Sequence, residues 1–266
     1  MKTLLIGAGN MGLTFARSFI KSKVLDRKDL MILEKNNPDK IQELQKLKLG
    51  EVFIDPSCIT DSQIIIFAVK PQDSETLFKE ISGLVGKNHI LVSIMAGVKM
   101  STILDQFITD KVIRAMPNLP SQIGMGMTTF VSSDLVSIRE LRFVQRLLNT
   151  TGRALYLENE GLIDSATAIS GSGPAYIFFF IQSLIKASME FGFSKADAEL
   201  LVIQTFMGAL NLYLQSDDEL ETLIKRVSSK GGTTEAAIKY FENSKLKKNI
   251  IEGAKQALNR AKELGG

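Results

Sequence analysis

The 266-residue chain has one cysteine, one histidine, no tryptophan and only six prolines. A lone Cys58 cannot close an internal disulfide, which excludes disulfide-scaffold classes. Cys58 and His89 fall short of a zinc site unless several carboxylates join them. A formal net charge of +3, with both signs mixed, is too weak a bias to argue for nucleic acid or an anionic membrane. The greasiest stretch, 176–181, is interrupted by Gln182 and Lys186. That is well short of the ~20 apolar residues that span a bilayer, so the stretch reads as a helix buried on most sides. Residues 1–6 run straight into glycines, too short for the apolar core of a signal peptide. With so little cysteine, the expected compartment is reducing and cytoplasmic.

The same scarcity limits the chemistry. Any Ser-His-Asp or Cys-His machine must use His89, which lies in Asn88-His89-Ile90-Leu91-Val92. That run reads as the start of a buried strand and His89 as a structural residue. Catalysis by this sequence therefore borrows its hard chemistry from a cofactor.

What is present is ordinary globular material: 45% hydrophobic and 23% charged residues. Runs 2–7, 30–34, 64–69, 90–94 and 112–116 are compact, apolar and rich in Ile, Val and Leu, as suits strands buried on both faces of a parallel sheet. Helical spacing lies between them at 11–21, 39–47, 74–81 and 100–107. The alternation predicts a doubly wound, mostly parallel α/β domain over 1–157, completed by a strand at 127–131, a helix at 134–148 and a strand at 154–157. From Gly161 onward only helices are expected, at 175–191, 195–215, 219–227, 234–241 and 246–264. Ser194 with Asp197 resembles a capping box. An all-α domain over 158–266 has little room to hide Phe178, Phe179, Ile181, Leu184, Ile185, Leu201, Val202, Phe206 and Leu210, which predicts a helical dimer interface. Packing within the chain is the alternative.

Ile6-Gly7-Ala8-Gly9-Asn10-Met11-Gly12 is a G-x-G-x-x-G turn between a strand and a helix. Gly7 permits the tight turn, Gly9 lets backbone approach a pyrophosphate, and Gly12 permits close helix–strand packing. Glu34 follows Gly12 by 22 residues, where an acid would bind the ribose hydroxyls of NAD. Lys35, Asn36 and Asn37 could instead cradle the 2′-phosphate of NADP, and the sequence leaves that choice open. Ala68-Val69-Lys70-Pro71 and Met95-Ala96-Gly97 fall at the carboxyl ends of expected strands, where open α/β sheets bind ligands. Arg114–Pro120 reads as a rigid corner, either lining the cleft or simply a loop. Ser170–Tyr176 reads as a helix entry of small residues. Ser228-Ser229-Lys230-Gly231-Gly232-Thr233-Thr234 precedes a helix, and its backbone amides and hydroxyls form a receptor for a small carboxylate.

Taken in order, GAGNMG (7–12), AVKPQ (68–72), RAMPN (114–118), SGSGPAY (170–176) and SSKGGTT (228–234) resemble the pyrroline-5-carboxylate reductase family over nearly the whole chain. The resemblance implies hydride transfer from NADPH, or NADH, to the ring imine of 1-pyrroline-5-carboxylate, giving L-proline. It implies a homodimer through the helical domain, with larger assembly left open. In that family the 7–12 turn holds the pyrophosphate, and 68–71 and 95–97 flank the cofactor. Ser229, Gly231, Gly232, Thr233 and Thr234 would hold the substrate carboxylate, Thr234 beside the imine nitrogen as the catalytic group, and Glu160 would lie at the substrate. Lys230 replaces a usual proline, Leu119 a frequent threonine, Arg226 an asparagine, and Asp55, on the adenosine side, another asparagine. Two other readings of the chain are a β-hydroxyacid dehydrogenase, with Lys186 or Lys195 as base, and a non-catalytic NADP(H) sensor.

Overall fold

The computed structural model describes residues 1–35 and 37–265. It divides into two compact units: Met1–Ser172 together with the residues from Ala257 onward, and Gly173–Gln256. The first unit therefore runs on past Leu157, because the segment after the last strand is tied to the sheet by ion pairs described below.

Among the described residues, eight strands form one sheet in the order β3-β2-β1-β4-β5-β6-β7-β8. They are β1 (Thr3–Ile6), β2 (Leu30–Leu33), β3 (Glu51–Phe53), β4 (Ile64–Phe67), β5 (Ile90–Ser93), β6 (Val112–Met116), β7 (Gly126–Ser132) and β8 (Gly152–Tyr156). β1 to β6 run parallel, β7 is antiparallel to β6, and β8 is parallel to β7. Every residue of β1, β2, β4 and β5 is buried, as expected for continuous apolar runs covered on both faces. One covering layer packs α1 (Asn10–Lys21) and α5 (Ile138–Leu148) through Phe15, Phe19, Val144 and Leu147. The other uses α3 (Ser74–Ile81) and α4 (Met100–Leu104), where Phe67, Phe78 and Phe107 meet at centroid distances of 5.1–5.9 Å.

β3 was not expected. It is three residues long, lies at the sheet edge and is at most half-buried, so it carries no apolar run to announce it. α2 (Pro38–Leu47) is capped by the Asn37 side chain and starts with Pro38 at its first turn. The full capping box occurs not at Ser194 but at Ser137, which exchanges bonds with Glu140 at the start of α5. Ser194 does accept from the Asp197 N–H, but the Asp197 carboxylate bonds the Ser194 hydroxyl instead of reaching back to its amide. Asp is one methylene shorter than the Glu this motif prefers.

α6 (Gly161–Ala166) passes through a π-turn at Thr167–Gly171 into α7 (Gly173–Glu190). The second unit holds α7, α8 (Lys195–Gln215), α9 (Leu220–Val227), α10 (Thr233–Asn243) and the first part of α11 (Leu246–Leu264). α7 packs against α8. The expectation that 176–181 is buried on most sides is corrected within the single chain: α7 has no buried residue, and Phe178 and Phe179 are 56% and 66% exposed. The helical run Gly161–Glu190 is long and apolar enough to cross a bilayer by length and composition alone, a test that the core helix of a soluble protein also passes. The exposure of α7 has a physical reason. The unit is rich in apolar side chains and contains too few elements to cover them.

Candidate active site

β1 ends at Ile6 and the chain turns at Gly7, whose φ of +94° suits glycine. A Cβ there would lie 2.9 Å from the Ala68 carbonyl, and a Cβ on Gly12 would lie 2.2 Å from the Gly7 oxygen. The turn, β4 and α1 are thus pressed together. Gly9 differs: a Cβ would meet nothing within 4 Å, so its backbone borders open space at the start of α1. Gly9 is the cap residue of α1, and no side chain caps the helix there, leaving first-turn amides directed outward. This cradle fits a pyrophosphate.

A cavity of about 670 Å³ lies at these strand ends and brings together Ile6, Gly7, Ala8, Gly9, Glu34, Lys35, Ala68, Val69 and Lys70. The Ala8 N–H donates to Glu34 Oε2 at 3.3 Å, and Lys35 is ion-paired with Glu80. Asn36 lies outside the described residues. Asp73, Thr76, Leu77 and Glu80 also line the cavity and were not singled out from the sequence. Their spacing of three, one and three residues, on and just before α3, is the signal that could have found them.

The remaining expected cofactor residues are not among those lining this cavity. Asn10 lines a groove on the outer side of α1. Met11 packs on the core, and Gly12 is buried in the turn. Asp55 accepts from the Ser57 N–H at 2.9 Å, and this bond, foremost among its surroundings, holds its carboxyl below the usual range. Pro71 opens the turn before α3. Met95, Ala96 and Gly97 follow β5. The Met95 N–H donates to Ser93 Oγ, and Gly97 adopts φ +75° with the Leu264 carbonyl 2.9 Å from where a Cβ would stand.

Arg114, on β6, is buried and forms ion pairs with Glu160 at 2.9 Å and Asp164 at 3.1 Å. Glu160 Oε1 also accepts from the Met100 N–H at 2.8 Å. One carboxylate thus ties the start of α4, just after 95–97, to β6. Asn118 makes a second tie, donating to the Ser170 carbonyl and accepting from the Met127 N–H. His89 is structural: its Nδ1 accepts from Gly86 N–H and its Nε2 faces the Ile59 carbonyl, so the proton sits on Nε2. Cys58 is buried, and burial pushes its thiol up to about 11, away from thiolate chemistry.

In the second unit, α9 leads into Ser228–Gly232 and α10. Gly232 caps α10, again without a side-chain cap, so first-turn amides are available to an anion. Gly231 has φ +73°, and a Cβ on Gly232 would lie 2.6 Å from Ser229 Oγ and 3.0 Å from the Ser229 carbonyl, so the turn favours glycine at both positions. The Gly231 N–H donates to Glu235 Oε2 at 2.8 Å, and Glu235 pairs with Lys239. That backbone bond, with Lys239, holds the Glu235 carboxyl below its ordinary value. Thr233 and Thr234 open α10, Thr234 half-buried and Thr233 exposed. Arg226 pairs with Asp218, and Lys195 with Glu199.

Residues 160–264 match the family described as "Pyrroline-5-carboxylate reductase dimerisation", and residues 2–97 match "NADP oxidoreductase coenzyme F420-dependent". The chain is 35% identical to a pyrroline-5-carboxylate reductase of Aquifex aeolicus, over 99% of this chain and 97% of that protein. It superposes on the pyrroline-5-carboxylate reductase of Coxiella burnetii with a TM-score of 0.91 at 29% identity, covering 100% of this chain and 98% of the other. On the Plasmodium falciparum pyrroline carboxylate reductase with NADP bound the TM-score is 0.88 at 25% identity, over 100% and 98% of the two chains. With likeness spanning both units and nearly every residue of its relatives, the chain belongs to the pyrroline-5-carboxylate reductase family.

Proposed function

We propose that this chain reduces 1-pyrroline-5-carboxylate to L-proline with NADPH or NADH, acting in the cytoplasm as a homodimer. The observation that carries the reading is the full-length likeness to named reductases, supported by a loop suited to a small carboxylate: two glycines before an uncapped helix N-terminus.

The reaction adds a hydride to the imine carbon and leaves the proton on nitrogen. The bound dinucleotide supplies the hydride. A ring imine accepts it readily once its nitrogen is protonated, so no strong histidine acid is required, in keeping with a structural His89. The chain supplies position. The 7–12 cradle holds the pyrophosphate, and Ala68–Pro71 and Met95–Gly97 border the coenzyme. Ser229, Gly231, Gly232, Thr233 and Thr234 fix the substrate carboxylate through amides and hydroxyls, and Thr234 hydrogen-bonds the ring nitrogen. Glu160 contributes by holding Arg114 and the peptide that follows 95–97. Holding reacting atoms ~3–3.5 Å apart in the right orientation supplies much of the rate enhancement of such reactions. The uncovered faces of α7 and α8 pair across the dimer, with residues 158–266 as the dimerising part.

The test is the loss of 340 nm absorbance of NADPH and of NADH with 1-pyrroline-5-carboxylate, against a 2-keto acid control. Turnover with the imine alone is expected. Turnover with the keto acid alone, or with neither, contradicts the proposal.

A further inference from the structure

Glu34 and Lys35, at the end of β2, favour different cofactors. A carboxylate accepts hydrogen bonds from the 2′- and 3′-hydroxyls of NADH, whereas a free cation neutralises the 2′-phosphate of NADPH. Both line the cavity, so their partners decide between them. The Glu34 carboxylate is turned onto the glycine turn, accepting from the Ala8 N–H. Lys35 also lines the cavity, but its charge is paired with Glu80 on α3, which lines it too. Asp55, held below its ordinary range chiefly by the Ser57 N–H, feels Lys35 as the least of its influences. Asp73 adds a further acid to the same cavity. Lys70, the other cation lining it among the described residues, follows β4, which lies across β1 from β2. A 2′-phosphate arriving beside Glu34 meets like charge with the nearest lysine engaged, whereas a pair of hydroxyls meets an acceptor with a free oxygen.

Resting on the reading of this cavity as the dinucleotide site, we propose that Glu34 is the specificity-determining residue for the coenzyme. It favours NADH over NADPH, and the Lys35–Glu80 pair reinforces the preference by withholding the cation. NADPH remains usable at lower affinity.

The test is equilibrium titration of the full chain with NADH and with NADPH, followed by nucleotide fluorescence and independent of turnover. Wild type is expected to bind NADH about tenfold more tightly or better, the scale of one directed charge interaction. Glu34→Gln keeps the shape and removes the charge, and should shrink the preference about tenfold, chiefly by tightening NADPH. Glu80→Gln, at an exposed position, frees Lys35 and should move the ratio the same way by a few-fold. A wild type that binds NADPH more tightly overturns the proposal. So does a Glu34→Gln protein of unchanged Tm with an unchanged ratio. Binding of neither nucleotide overturns the dinucleotide reading itself, and this inference with it.

Discussion

The two units treat apolar side chains in opposite ways. In the first, Leu4, Leu5, Leu30, Ile32, Ile64 and Phe67 are fully buried by helices of their own chain. In the second, α8 buries only Ala198 and Val202, while α7, α9 and α10 bury nothing. Leu201 and Leu210 stand 47% and 59% exposed. Apolar area at this density is a docking face, each fully covered large side chain contributing about 1.5–3 kcal/mol. One unit completes its core alone, and the other leaves the material of a core uncovered by its own chain, which the proposed dimer would cover.

That contrast can be broken at either end. The largest effect is expected from Phe67→Ala, which empties the centre of the Phe67–Phe78–Phe107 cluster. It should destabilise the protein by about 3–5 kcal/mol in denaturant unfolding. Glu160→Gln should come next, costing about 1–3 kcal/mol because buried Arg114 loses one of its two charged partners. Phe179→Asp should leave the fold of the first unit intact and weaken association by about 1–3 kcal/mol, read as a shift toward monomer in sedimentation. If it destabilised the protein as much as Phe67→Ala at every concentration, the proposed division of labour would be wrong.

The smallest effect concerns the loop. Glu235 has its folded pKa lowered, so its hold on Gly231 is complete above its ordinary value near 4.5 and is lost as pH falls through the lower, folded value. Glu235→Gln should raise KM for the imine a few-fold near neutral pH, with kcat little changed. A KM indistinguishable from wild type would show that the loop stands without this clasp.

Much of this was legible in the sequence because backbone geometry demands particular residues. Gly7 and Gly12 leave no room for a Cβ, and strands buried on both faces must be continuously apolar. His89 was readable as structural from its place at a strand edge. Other features rest on distant partners. Whether the Lys35 charge is already paired depends on Glu80, far along the chain on α3. Glu160 depends on Arg114 and Met100 in the same way. β3 is too short and too exposed to carry a pattern. α7 shows the limit most clearly, since hydrophobicity announces that a face will be covered but does not say by which molecule.

The measurement closest to the centre of this account is kcat/KM for 1-pyrroline-5-carboxylate in Thr234→Ala beside wild type, with Tm recorded for both. Loss of about 10–100-fold at unchanged Tm, equivalent to about 1–3 kcal/mol for one directed bond, is the predicted result. A variant that turns over the imine as fast as wild type would contradict the assignment of catalysis to this loop.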